Sequence, residues 1–200
     1  MKHLGLTLLS FALLAAAPAF ADSIPYPHTG TIPPQVSLFA SSTGTVTGYF
    51  YSASAADYDE VRLLDVTTGT TSVWELPNHS TSQGTSTNFS PVAVNAGDQL
   101  VFELLNTSLN PNQIFATNSV DSSDGVNHGY VTGFSGGSGI PAGLYIGFED
   151  LPKQGSDLDY NDEAIVVTNV SAAPEPGSLA LLGTGILGIA AGLRRKFKLG

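Results

Sequence analysis

The chain has 200 residues, room for one domain with a substantial core, and contains 7 basic and 17 acidic residues and no cysteine. Between positions 22 and 172 only Arg62 and Lys153 stand against 16 acidic residues, a surface that repels nucleic acid and anionic membranes and favours cations. Nucleic-acid binding is thereby excluded, and the missing cysteines exclude a lipid-modified N-terminus and a disulfide-held fold.

The N-terminus reads as a signal peptide over residues 1–21. Lys2 and His3 precede a largely apolar stretch, 4–17, and Ala19-Phe20-Ala21 forms a small-x-small cleavage site for signal peptidase. Pro18 argues against a buried N-terminal helix of the mature fold. Residues 22–42 hold four prolines and one glycine among polar residues and read as a lead-in, with a short strand over 36–39.

Residues 22–172 then show short alternating or apolar runs separated by Gly, Asn, Asp and Ser, with no long helical periodicity. Strands are predicted over 45–50, 61–66 and 72–76. Leu100, Phe102 and Leu104 share one face of a further strand that puts Glu103 on the other. Leu144, Ile146 and Phe148 repeat the pattern, and 164–170 is a last strand rich in β-branched residues. Asn95-Ala96-Gly97-Asp98 is one of the intervening turn signals. The prediction is an all-β, two-sheet antiparallel sandwich with a jelly-roll or immunoglobulin-like path.

The densest chemistry lies in 147–163, where six of seventeen residues carry carboxylates: Glu149, Asp150, Asp157, Asp159, Asp162 and Glu163. Like charges at this density repel unless they are neutralised. Calcium suits them, because it accepts six to eight oxygens in flexible geometry. The candidate ligands are Glu149, Asp150, Asp157, Asp159, Asn161 and Asp162, joined by Asp124 from the polar loop 121–128. Asp157, Asp159 and Asn161 have the first spacings of an EF-hand, but Asp162 stands where that loop needs glycine and Thr168 where it needs glutamate, so it is not one. The competing reading is two solvated acidic turns whose side chains cap backbone groups.

At the C-terminus, Ala173-Pro174-Glu175-Pro176-Gly177 precedes an uncharged run over 178–193 and the basic cluster Arg194, Arg195, Lys196 and Lys198. Sixteen residues span about 24 Å as a helix, short of a hydrocarbon core of roughly 30 Å. Flanking Arg and Lys side chains can make up part of the difference, so 178–193 is predicted to be a transmembrane helix. The basic cluster places residues 194–198 in the cytoplasm and 22–172 outside. A second small-residue spacing, Gly188 to Gly192, matches a helix-pairing pattern.

Pro174-Glu175-Pro176 followed by an apolar helix and a basic patch resembles the PEP-CTERM sorting signal of Gram-negative bacteria, over 173–200. The resemblance implies recognition by an exosortase, an integral-membrane cysteine protease. It also implies a transient inner-membrane precursor, cleavage near Pro174-Glu175-Pro176, and passage to the surface or the extracellular polysaccharide matrix. The order of Val94-Asn95-Ala96-Gly97-Asp98, Asp124-Gly125-Val126-Asn127-His128, Gly147-Phe148-Glu149-Asp150-Leu151 and Ser156-Asp157-Leu158-Asp159-Tyr160-Asn161-Asp162 is similar to a bacterial extracellular domain family of unknown function. That likeness covers about 43–170 and implies a β domain without implying a reaction.

No catalytic role is expected. Gly133-Phe134-Ser135-Gly136-Gly137 fits the letters of a nucleophile elbow but reads as a flexible Gly/Ser loop, without the helix that the elbow requires. Glu149 and Asp150 are adjacent and point to opposite faces of a strand end, unlike a glycosidase pair. His28, His79 and His128 lack zinc spacing; His79 and His128 each follow an asparagine. The expected role is structural or adhesive at the cell surface or in the exopolysaccharide matrix. The alternative is a carbohydrate-binding module using Trp74, Tyr49 and Tyr51, aromatics that read first as sandwich core.

Overall fold

A computed structural model describes residues 24–173. The predicted signal helix, with Ala19 and Ala21, lies outside the described residues. So do the helix over 178–193, Pro174, Glu175 and Pro176, and the basic Arg194, Arg195 and Lys196. Among the described residues no helix is long and apolar enough to cross a membrane.

In chain order the strands are β1 Ser37–Ala40, β2 Thr47–Ala53, β3 Asp59–Asp65, β4 Thr70–Thr71, β5 Ser86–Thr87, β6 Gln99–Asn106, β7 Gln113–Ala116, β8 Gly129–Phe134, β9 Gly143–Phe148, β10 Glu163–Thr168 and β11 Val170–Ala173. They form two sheets. One runs β11-β1-β6-β3-β4, with β7 beside the later half of β6, and the other runs β5-β2-β10-β9-β8. All the strand pairings are antiparallel.

The sheets pack through one continuous core. Val61, Leu63, Leu100, Phe102, Leu104 and Phe115 project from the first sheet onto Phe50, Ile146, Phe148, Ile165 and Val167 of the second. Alternation along β6 dictates this, since Leu100, Phe102 and Leu104 must share a face. Glu103 takes the other face, opposite Arg62 in the β3–β6 register, and the two form an ion pair with Arg62 lying 4.2 Å over the Trp74 ring.

A second apolar layer covers the outer face of the second sheet. Tyr145, Ala164 and Val166 are buried there beneath partly buried Tyr49, Tyr51, Tyr130 and Phe134. Tyr49 and Tyr51 therefore lie outside the inter-sheet core, and they and Trp74 are half-buried.

Three local expectations are corrected. The strand expected over 164–170 is two strands in different sheets. Asn169 breaks it with φ 62°, and its side chain bonds Ser42 and Thr45, so the chain crosses between sheets there. The strand expected over 72–76 is reduced to a bridge between Val61 and Glu75. Gly133 and Phe134, expected in a flexible loop, close strand β8.

Register places the start of β3, the end of β6, the end of β9 and the start of β10 at one end of the sandwich. Asp59 pairs with Asn106, and Glu163 with Phe148. β11, paired with β1 from Val170–Ala40 to Ala173–Ser37, runs toward that same end. The acidic segment closes this end.

Candidate metal centre

The loop from Glu149 to Asp162 leaves β9 and returns into β10, so both of its ends are held by adjacent paired strands. Its middle is fixed by alternate residues. Leu158 and Tyr160 are buried and join Tyr26 in a small aromatic cluster, with Tyr26 and Tyr160 ring centres 5.0 Å apart. Both adopt positive φ, 55° and 60°, a conformation bulky residues rarely hold without such anchoring. The intervening Asp157, Asp159 and Asn161 are exposed or half-buried.

The strand beneath must be bare for the loop to sit this close. A Cβ at Gly147 would fall inside van der Waals contact with the Tyr160 carbonyl oxygen, so only glycine fits there.

This arrangement brings Glu149, Asp157 and Asp159 together, with one carboxylate oxygen from each within 4.8 Å of the others. A set of hard oxygens at that separation can hold a metal ion. Glu149 is buried, and its Oε2 accepts the Tyr160 N–H at 3.3 Å. Burial and the neighbouring Asp162 push its carboxyl up to about 8. Burial and Asp157 raise Asp159 as well. Asn161 stands beside Asp159, donating its side-chain amide to Oδ2 and its N–H to Oδ1.

The other sequence-predicted ligands are placed differently. Asp124 spends its oxygens on the protein. Oδ1 accepts from Val126 N–H at 3.1 Å and meets His128 Nε2 at 3.0 Å, while Oδ2 accepts from Lys153 N–H at 3.1 Å. Burial alone would raise the Asp124 carboxyl, but the Lys153 N–H and His128 outweigh it and hold it below its usual range. Asp124 thus ties loop 121–128 to the acidic loop. His128, buried against Phe115 with its Nδ1 on the Glu149 carbonyl, is pushed down by burial despite Asp124.

Asp150 joins a second group of acids. Burial, Asp162 and Asp59 push it up to about 9, and burial pushes Asp59 up to about 7. Asp162 links the two groups, its Oδ2 accepting the Asp150 N–H at 3.0 Å. Glu163, fully buried, is raised well above the usual range by burial and by Asp59, Glu60 and Asp150.

Sequence reasoning missed Asp57 and Asp59 because they lie some ninety residues from the loop, and it counted Glu163 among the acids of 147–163 without naming it as a ligand. One signal was available: Asp59 and Glu163 occur where an alternating strand should place an apolar residue. The repeated Asn-His pairs also gain a role. Asn78 bonds Asp59 and the Asp57 carbonyl, which His79 also meets at 2.8 Å, while Asn127 bonds Gly129 and the Pro33 carbonyl.

Residues 172–196 match the family model of the PEP-CTERM protein-sorting motif. The chain carries an exosortase sorting signal. The match begins at Ala172 and Ala173, which pair with Leu38 and Ser37, so the motif continues directly from edge strand β11 of the all-β domain. No curated protein and no solved structure matches the chain.

Proposed function

We propose that the chain is a surface or extracellular-matrix protein of a Gram-negative bacterium, exported by its signal peptide and carried as an inner-membrane precursor until an exosortase cuts its tail. The β domain then has a non-enzymatic structural or adhesive role in the exopolysaccharide layer. The sorting motif at 172–196 carries this reading. It is tested by replacing Pro174, Glu175 and Pro176 with alanine in the native host. The variant is expected to accumulate uncut in the membrane fraction, and release equal to wild type refutes the reading.

Calcium is the proposed ion at Glu149, Asp157 and Asp159. The argument is the ligand chemistry: carboxylate oxygens only, on a partly exposed loop with room for water ligands, suit calcium better than zinc.

One observation favours carbohydrate binding as a second reading. Tyr58 is 61% exposed and stacks on His79 with ring centres 4.3 Å apart. They border a cleft of about 520 Å³ that is also lined by Glu60, Asn78, Ser80 and Thr107. An exposed aromatic face beside polar groups suits a sugar ring. Glycan-array binding that is lost in Tyr58→Ala supports this reading, and binding unaffected by that substitution refutes it.

A further inference from the structure

The inter-sheet space should be apolar throughout, yet its end beside β3 and β10 is lined with acids. Glu163 alternates with Ile165 and Val167, and Asp59 with Val61 and Leu63, all four of these partners being core residues. Strand alternation therefore turns Glu163 and Asp59 inward, from opposite sheets, toward one another. Asp150, two residues beyond core residue Phe148, joins them, and its carboxyl lies within hydrogen-bonding reach of that of Asp59.

These groups are almost sealed from water: Glu163 is 0% exposed, Asp59 1% and Asp150 3%. Neither oxygen of Glu163 has a hydrogen-bond partner, and neither does Oδ1 of Asp59. By contrast, the neutral polar group beside them is fully used. Asn106 donates to Asp57 Oδ2 at 2.8 Å and to the Asp150 carbonyl at 2.9 Å, and accepts from Ser108 and Leu109.

A buried carboxyl with no partner for either oxygen is costly whether charged or neutral. Among the described residues no Lys or Arg relieves it: Arg62 is engaged with Glu103, and Lys153 is exposed. Buried oxygens left without partners call for an explanation, and a cation held between the two sheets supplies one.

We infer that a hard divalent cation binds between the two sheets at this end of the core, ligated by Glu163, Asp59 and Asp150. The donors are all oxygens, which excludes the soft metals, and magnesium keeps several waters whereas these carboxyls are almost shut off from solvent, so calcium is the ion of choice. This inner site is distinct from the outer set of Glu149, Asp157 and Asp159 and does not depend on it; Asp162 stands between the two. Its ligands come from both sheets, so the ion would clamp the sandwich shut, whereas the outer ion would only stiffen a loop.

The test is calcium stoichiometry of the full-length chain, stripped with EDTA, dialysed and titrated calorimetrically with CaCl2. Wild type is expected to bind two ions and Glu163→Gln one, with Asp59→Asn giving the same loss as a second, independent probe. Asp157→Asn with Asp159→Asn should also bind one, but the other one. Stoichiometry unchanged in both Glu163→Gln and Asp59→Asn overturns the inner site, whatever the outer variant does. Loss in those two variants with none in Asp157→Asn/Asp159→Asn leaves the inner site standing and removes the outer one. Thermal unfolding adds a readout that a merely structural glutamate would not move. In EDTA at neutral pH, Glu163→Gln should melt above wild type because glutamine is buried neutral without taking up a proton on folding; in CaCl2 the order should reverse. The same order in both buffers overturns the proposal.

Discussion

Stripped of cations, the protein should become less stable as pH rises from about 5 to about 7, the reverse of ordinary acid denaturation. Asp59, Glu149 and Asp150 are raised from 3.8, 4.5 and 3.8 to about 7, 8 and 9, burial being the chief cause in each. Above about pH 4 the unfolded chain has released these protons while the folded protein retains them, so stability falls as pH climbs through the window. The three carboxyls are neighbours of Asp162 and share protons. Counting a single retained proton gives a loss of about 1.4 kcal/mol per pH unit, or about 3 kcal/mol over two units. For a chain of this size that lowers the melting temperature by about 5–11 °C. The assay is thermal unfolding by far-ultraviolet circular dichroism, across this range, in EDTA and in CaCl2. Calcium competes with protons for the same oxygens, so its stabilisation should grow with pH and cancel or invert the slope. Asp150→Asn should flatten the EDTA slope while hardly changing the net charge, which separates the local effect from general charge repulsion. A melting temperature in EDTA that is flat or rising between these pH values, or a slope unchanged in Asp150→Asn, refutes the reasoning.

Gly147→Ala forces a methyl group against the Tyr160 carbonyl and should cost about 1–3 kcal/mol in urea unfolding. Gly133→Ala, with nothing within 4 Å of its added carbon, should stay near wild type; equal effects would show that the loop does not rest on β9. Asp124→Ala removes the acceptor for the solvent-exposed Val126 and Lys153 N–H groups and should cost about 0.5–1.5 kcal/mol. It should also speed proteolysis within 150–160; a cleavage rate equal to wild type argues against the tie. Leu104→Ala empties a fully buried position and should cost about 2–5 kcal/mol. A smaller loss in equilibrium unfolding would mean that the two sheets repack around the cavity.

Much of the architecture was legible without coordinates because strand alternation is a local property. Leu100, Phe102 and Leu104 report their shared face by spacing alone, and Leu144, Ile146 and Phe148 do the same. The sorting motif was legible for the same reason, since a short motif, apolar length and flanking charge act in sequence order. What resisted reading was pairing between distant segments. Asp59 and Glu163 are 104 positions apart, and nothing in either neighbourhood announces that two sheets will turn them toward each other. Asp124 looked like a ligand from composition, but its oxygens are spent on Val126, His128 and Lys153. The sequence alone therefore determined that this is an exported, acidic, all-β chain with a sorting tail. Tertiary structure decided which acids meet, because carboxylate chemistry depends on burial and on partners brought together by antiparallel register, and neither is encoded within reach of a single segment.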